Sequence, residues 1–151
     1  MTTPTDTRIT LSRVMSQAEA NLLGNVHGGN IMKMVDDTAG VSANRFAQGP
    51  AVTAAMDEMT FLVPVKVGEI LHAQAQVNWV GETSLEVGVR VEAEPWGEIR
   101  PRVHVASAYL LMVAICLALV AAGLLAGCTA GAVAGLAFVG CTYFATFPPL
   151  N

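Results

Sequence analysis

Charge is absent from the last third of this chain. Every Asp, Glu, Lys and Arg lies at or before Arg102, and residues 103–151 carry none. Cysteine is absent from everything before that: Cys116, Cys128 and Cys141 all fall in the uncharged part. Their spacing matches no metal-ligand pattern and offers no disulfide framework, which sets aside a zinc module and a small stapled domain. Basic residues are few, 8 Lys and Arg against 12 Asp and Glu for a formal net charge of −4. The chain therefore lacks the cationic footprint of a nucleic-acid binder. It also lacks a phosphate-cradling glycine loop, a serine nucleophile elbow and a cluster of metal ligands, so no metal is implied. Residues 1–7 are polar and rich in Thr, which reads as a disordered terminus rather than a secretory signal.

What is present is apolar and periodic. Hydrophobic residues make up 53% of the 151 and charged residues 13%, enough for one domain with a sizeable core. Leu71, Ala73, Ala75, Val77 and Trp79 alternate with His72, Gln74, Gln76 and Asn78. Leu85, Val87, Val89, Val91 and Ala93 alternate with Glu86, Gly88, Arg90, Glu92 and Glu94. Such regular period-two patterns predict antiparallel strands with one covered face. Residues 8–14 and 103–113 alternate in the same way, and 52–63 is rich in strand formers before the turn signals Pro64 and Gly68. His72 and His104 fall within strands and read as bystanders. Added to one long helix, the pattern gives an α+β architecture, a helix layered on an antiparallel sheet.

That helix is predicted over residues 31–46, behind the run Gly24-Asn25-Val26-His27-Gly28-Gly29-Asn30. Asn30 stands where an N-cap belongs, ahead of an apolar stripe of Ile31, Met32, Val35, Ala39, Ala43 and Phe46. Two carboxylates follow side by side. At about 100° per residue, Asp37 falls opposite the stripe, within i,i+4 reach of Lys33, while Asp36 falls at the stripe's edge beside Met32. A partly desolvated carboxylate one turn from a glycine-flanked helix start suits a general base or nucleophile. The plainer alternative is an acid that favours the helix dipole. His27, inside the glycine turn, reads as structural or pocket-lining, and Asn25 on its own residues reads as a turn former.

The stretch from Gly24 through Asp36 to Gly40 resembles the hotdog-fold acyl-CoA thioesterases of the acyl-CoA hydrolase family. Further similarity runs through residues 52–68 and 80–92, so the resemblance covers about residues 8–114. It implies an antiparallel sheet wrapped on one long central helix, and hydrolysis of acyl-CoA to free fatty acid and coenzyme A. It implies no cofactor, since the coenzyme A thioester is itself the substrate. Residue by residue, it implies that Asp36 acts as general base or through an anhydride, with Asn25 supplied by the facing subunit. A homodimer is then the smallest active species, and a higher homo-oligomer is compatible. The backbone N–H groups of Gly28, Gly29 and Asn30 are candidates for polarising the thioester oxygen at the helix start. The resemblance sets the pantetheine arm along Ala54, Ala55 and Met56 and the turn Thr83, Ser84 and Leu85. Arg45 and Lys66 are candidates for the nucleotide phosphates.

The resemblance stops near residue 114. Residues 115–147 form an uncharged apolar run longer than the roughly 20 residues that span a bilayer. Gly123, Gly127, Gly131 and Gly135 recur every four residues, a small-residue face suited to helix packing in membranes. The run reads as an apolar, helical tail, either a transmembrane segment or a reading-frame artefact, with a soluble helix on the open sheet as a third reading. The domain expectation is thus 1–7 terminus, 8–114 hotdog domain and 115–151 tail, in a cytoplasmic protein that the tail would bring to a membrane. Two functions compete with the thioesterase: a non-catalytic acyl-CoA-binding hotdog module, and a membrane-anchored assembly protein.

Overall fold

Residues 4–115 are described by the structure, a computed structural model. A short 3-10 turn (Pro4–Thr7) leads into strand β1 (Ile9–Val14), a second 3-10 turn (Gln17–Glu19) and helix α1 (Gly28–Ala47). Four strands follow: β2 (Ala51–Phe61), β3 (Glu69–Val80), β4 (Ser84–Pro95) and β5 (Val103–Ala114). They join β1 in one sheet of order β1-β3-β4-β5-β2, with every neighbouring pair antiparallel.

The sequence alternation builds this sheet directly. Leu71 stands opposite Ala93, Ala73 opposite Val91, Ala75 opposite Val89 and Val77 opposite Val87, and all eight are buried. One face of the central strands is therefore apolar along its length, and α1 packs on it through Ile31, Met34, Val35, Ala39 and Ala43. Each large aliphatic side chain taken out of water there contributes about 1.5–3 kcal/mol, which makes β3, β4 and β5 the stable centre. The edge strands β1 and β2 carry most of the exposed positions. This is the hotdog arrangement, a five-stranded antiparallel sheet around one long helix.

On β3 and β4 the far face of the sheet is polar, and its central histidine is not simply exposed. His72 is buried, with Ser12 Oγ 2.7 Å from Nδ1. Glu94 Oε1 comes within 3.0 Å of Nε2, a close contact that lacks the alignment of a hydrogen bond. The His72 ring, and after it the Arg102 guanidinium, hold the Glu94 carboxyl below its ordinary pKa.

Three expectations are corrected. The helix begins three residues earlier than the pattern indicates, because His27 rather than Asn30 is its N-cap. The His27 backbone is extended and its Nδ1 accepts from Gly29 N–H at 2.9 Å, so both glycines are absorbed into the first turn. The packed stripe is also rotated: Met34, Thr38 and Ser42 are buried, and Met32 is exposed. Thr38 Oγ1 donates to Met34 O at 2.6 Å and Ser42 Oγ to Thr7 O at 2.9 Å, so two hydroxyls sit on the core face without an unpaired polar group. The third correction is at the start of the chain. Thr7, expected in a disordered terminus, is fully buried and its Oγ1 accepts from Val77 N–H at 3.1 Å.

The apolar tail lies outside the described residues, apart from Ile115. Among the described residues no helix is long and apolar enough to cross a membrane.

Candidate active site

The segment between β1 and α1 is held by its own polar groups. Ser16 and Glu19 form a capping box, and Arg13 pairs with the same Glu19 carboxylate. The Ser16 hydroxyl, then its backbone N–H and the Arg13 charge, hold the Glu19 carboxyl below its ordinary value. Two residues on, Asn21 Oδ1 accepts from Leu23 N–H at 2.8 Å and from Asn25 N–H at 3.1 Å. Gly24 closes this turn at φ +80°, a left-handed conformation that a side chain would strain. Asn25 then bridges Lys66, and Val26 N–H donates to Val65 O at 2.8 Å. The turn is thus fixed to the loop that leaves β2. Asn30, displaced from its expected capping role, donates through Nδ2 to Glu19 O at 3.3 Å and ties the helix start to the same segment.

Two consequences bear on chemistry. The Nδ2 of Asn21 and the whole side-chain amide of Asn25 make no hydrogen bond among the described residues, so both are available to a ligand. The cradle expected at Gly28, Gly29 and Asn30 is largely used internally. Gly29 N–H goes to His27 Nδ1 and Asn30 N–H to His27 O at 2.9 Å, which leaves Gly28 as the one of the three outside the capping bonds.

Both asparagines open onto a cavity of about 340 Å³. Buried Val26, Ile31 and Val65 form its floor; Phe61, Leu62, Val63 and Pro64 form an apolar wall. Among the described residues no charged side chain lines it.

The two aspartates part company as the helical period requires. Asp37 pairs with Lys33 at 3.1 Å on the solvent side. Asp36 turns toward edge strand β2, where its Oδ1 accepts from Thr53 Oγ1 at 2.6 Å. Within one protomer Asp36 is exposed rather than partly desolvated. It also stands far from Asn25, since the eight helical residues after Gly28 advance about 12 Å along the axis.

Of the residues read as a coenzyme A contact, five reach the surface or its edge and one does not. Ala54 and Ala55 are exposed at a bulge of β2, Met56 is half-buried, Thr83 is exposed and Ser84 half-buried. Leu85 is a core residue, 4% exposed, with no surface to offer. The two groups share one end of the sheet, because Ser84 and Val52 both stand opposite Val113 of the intervening β5. Among the described residues no cluster of His, Cys, Asp and Glu is arranged to hold a metal ion.

A sequence profile of the Thioesterase superfamily matches residues 23–99, half of the chain. This chain belongs to the thioesterase superfamily. Protein VdlD of Helicobacter pylori is 35% identical over 111 residues, which are 72% of this chain and 62% of that protein. The cytosolic acyl coenzyme A thioester hydrolase of Mus musculus is 33% identical over 92 residues, 57% of this chain and 24% of that one. The superfamily member described here thus spans less than two thirds of the length of these relatives. Among solved structures, an acyl-CoA hydrolase of Staphylococcus aureus, in complex with butyryl coenzyme A, coenzyme A and coenzyme A disulfide, superposes with a TM-score of 0.71 at 28% identity, covering 76% of this chain and 69% of that one. A hexameric acyl-CoA thioesterase without ligand superposes at 0.72 and 29% identity, covering 76% and 73%.

Sequence reasoning missed Thr53 and Asn21. Thr53 lies in the second matching stretch, but only the fold carries its hydroxyl across the α1–β2 turn to Asp36. Asn21 precedes the glycine run, and its Asx-type bonds to Leu23 and Asn25 are the signal that could have singled it out.

Proposed function

We propose that this chain hydrolyses acyl-CoA thioesters, with Asp36 activating the attack and an asparagine of the facing protomer polarising the carbonyl. One observation carries the reading: Asp36 with Thr53 at the start of β2, and the asparagine-lined cavity at its end, lie along the same strand, which is an edge of the sheet among the described residues. If β2 pairs antiparallel with its own copy about the strand's midpoint, the start of one strand meets the end of the other. Asp36 of each protomer then faces the cavity of its partner, and two equivalent sites form. The hexameric state of two similar thioesterases supports a homo-oligomer.

In that site the Asp36 carboxylate takes a proton from the water that attacks the thioester carbon and passes it to the leaving thiolate. Alternatively it attacks that carbon itself, giving an anhydride that water opens as the thiolate takes up a proton. Either way the acyl–sulfur bond breaks, and the products are free acid and coenzyme A. The carbonyl oxygen gains charge in the transition state, and a fixed amide N–H₂ lowers its energy. Two asparagines compete for that role. Asn25 is the one implied by the resemblance. Asn21 is favoured by spacing. In the Staphylococcus aureus hydrolase an asparagine, an aspartate fifteen residues later and a threonine seventeen beyond that were each changed to alanine. Asn21, Asp36 and Thr53 stand at the same two intervals here. The bonds that hold Asn21 Oδ1 also aim its Nδ2 outward as a donor.

Coenzyme A would lie along exposed Ala54 and Ala55 and the Thr83–Ser84 turn, at the end of the sheet that carries Thr53. The similarity to a cytosolic mammalian hydrolase supports a cytoplasmic enzyme. The test is coenzyme A release from acyl-CoAs of graded chain length by wild type, Asn21→Ala and Asn25→Ala. Asn21→Ala should lower kcat by about a hundredfold, the scale of losing one oxyanion donor, and Asn25→Ala by far less. The reverse order assigns the role to Asn25. Tight acyl-CoA binding by wild type with no release of coenzyme A would make this a binding module.

A further inference from the structure

We infer that the apolar cavity beside Asn21 and Asn25 receives the acyl chain, and that Phe61 and Val63 set the chain length it accepts. The inference rests on the thioesterase reading for the identity of its ligand, and on the cavity itself for the rest. Among the described residues its only polar side chains are the two asparagines at one end, where the proposed function puts the thioester carbonyl. Beyond them no cation is available for a carboxylate or phosphate and no anion for an amine, so an uncharged hydrocarbon is the guest that leaves nothing unpaired.

The cavity's wall is also unusual for a surface. Phe61 is 46% exposed, Leu62 55% and Val63 38%, over a floor that is almost fully buried. The Phe61 ring reaches across to the start of α1, where a Cβ on Gly28 would meet Cζ at 3.6 Å. Gly28 and the Phe61 ring thus face each other across the space between the helix start and the end of β2. In a single protomer the space is about 340 Å³, at the small end of the ~300–1,000 Å³ typical of small-molecule pockets and room for a short or medium chain.

The experiment titrates the full-length protein, held monodisperse in one fixed concentration of a mild non-ionic detergent, with non-hydrolysable thioether analogues of acyl-CoA, from four to sixteen acyl carbons, by calorimetry. For wild type, affinity should rise about fourfold for each methylene that becomes buried, then level off before the sixteen-carbon analogue. Phe61→Ala should move the levelling point to longer chains, and Val63→Trp, at a partly exposed position that tolerates bulk, to shorter ones. Affinity that ignores chain length, or a levelling point unmoved by both variants, overturns the assignment. If Phe61→Ala does not fold, Val63→Trp decides alone. Light scattering accompanies each titration: if the variants dissociate the oligomer and leave the chain-length profile unchanged, the wall is an interface between copies and the assignment fails. Coenzyme A release from hydrolysable acyl-CoAs separates the two readings. Turnover with a chain-length optimum blind to both variants removes the pocket and keeps the thioesterase. Chain-dependent binding without turnover does the opposite.

Discussion

Asp36 and Asp37 are neighbours in sequence with opposite circumstances. Asp37 shares a surface ion pair with Lys33, an arrangement that contributes little to stability and faces solvent. Asp36 is held by the Thr53 hydroxyl at the edge strand. Asp36→Ala should therefore lower kcat by a hundredfold or more, the usual scale for losing a general base or nucleophile, while Asp37→Ala stays within about threefold of wild type. Thr53→Val removes one charge-assisted bond, worth about 1.5–3 kcal/mol, and should cost about tenfold or more in kcat with little change in KM. Steady-state assays on the three variants decide it, and equal loss from both aspartate substitutions would remove the helical-face argument. The separation of these carboxylates was legible in the sequence because it depends only on the helical period. Thr53 was not, because its bond to Asp36 spans a turn whose path the sequence does not draw.

At the scale of elements, β4 could be read in full and β3 as far as Val77, since period-two alternation and buried side chains are the same fact stated twice. Trp79, on the apolar phase of the sequence, lies past a register shift after Val77 and is 45% exposed. The helix face was read with error for a physical reason. Thr38 and Ser42 hide their hydroxyls in backbone bonds and so occupy core positions that a hydrophobic pattern leaves blank. The segment before α1 was the least legible, because its order comes from hydrogen bonds among Ser16, Glu19, Asn21 and Asn30 rather than from periodicity. Its stability should depend on acid. Glu19 has its pKa held below the ordinary 4.5, so the folded state favours the carboxylate. That contribution is present above pH 4.5 and is lost as pH falls through the lowered value. Glu19→Gln keeps an N3 side chain able to complete the capping box but removes the charge. The melting-temperature gap between wild type and Glu19→Gln should be widest near neutrality and close as pH drops toward 3. A gap constant over that range would mean that the charge has no part in holding the loop.

For the whole molecule, if Asp36 and an asparagine of the turn act on one thioester, as proposed, the distance between them along α1 requires each site to draw on two protomers. Subunits carrying Asp36→Ala and Asn21→Ala should be inactive alone. Mixed and allowed to exchange, they give heterodimers with one intact site and one doubly damaged site. Random exchange would then return about a quarter of wild-type activity. No recovery after exchange is confirmed by mass spectrometry would place both residues in one protomer's site. The last prediction concerns where the catalytic unit ends. Strand β5 is complete at Ala114, whose N–H donates to Thr83 O at 3.0 Å, and Ile115 N–H donates to Pro50 O at 2.7 Å. A chain ended after Ile115 keeps both bonds, which fasten the last strand to the β3–β4 turn and to the start of β2. It also keeps every residue named in the site, the acyl cavity and the buried core. By contrast, residues 116–147 are uncharged and largely apolar, and each large apolar side chain left in water forgoes about 1.5–3 kcal/mol of burial. The shortened chain should thus fold cooperatively, release coenzyme A at the full-length rate and stay monodisperse without detergent. The full chain should need detergent or vesicles to do the same. If the shortened chain unfolds while the full chain is monodisperse in water, the apolar run belongs to the core, and the boundary of the catalytic unit lies beyond Ile115.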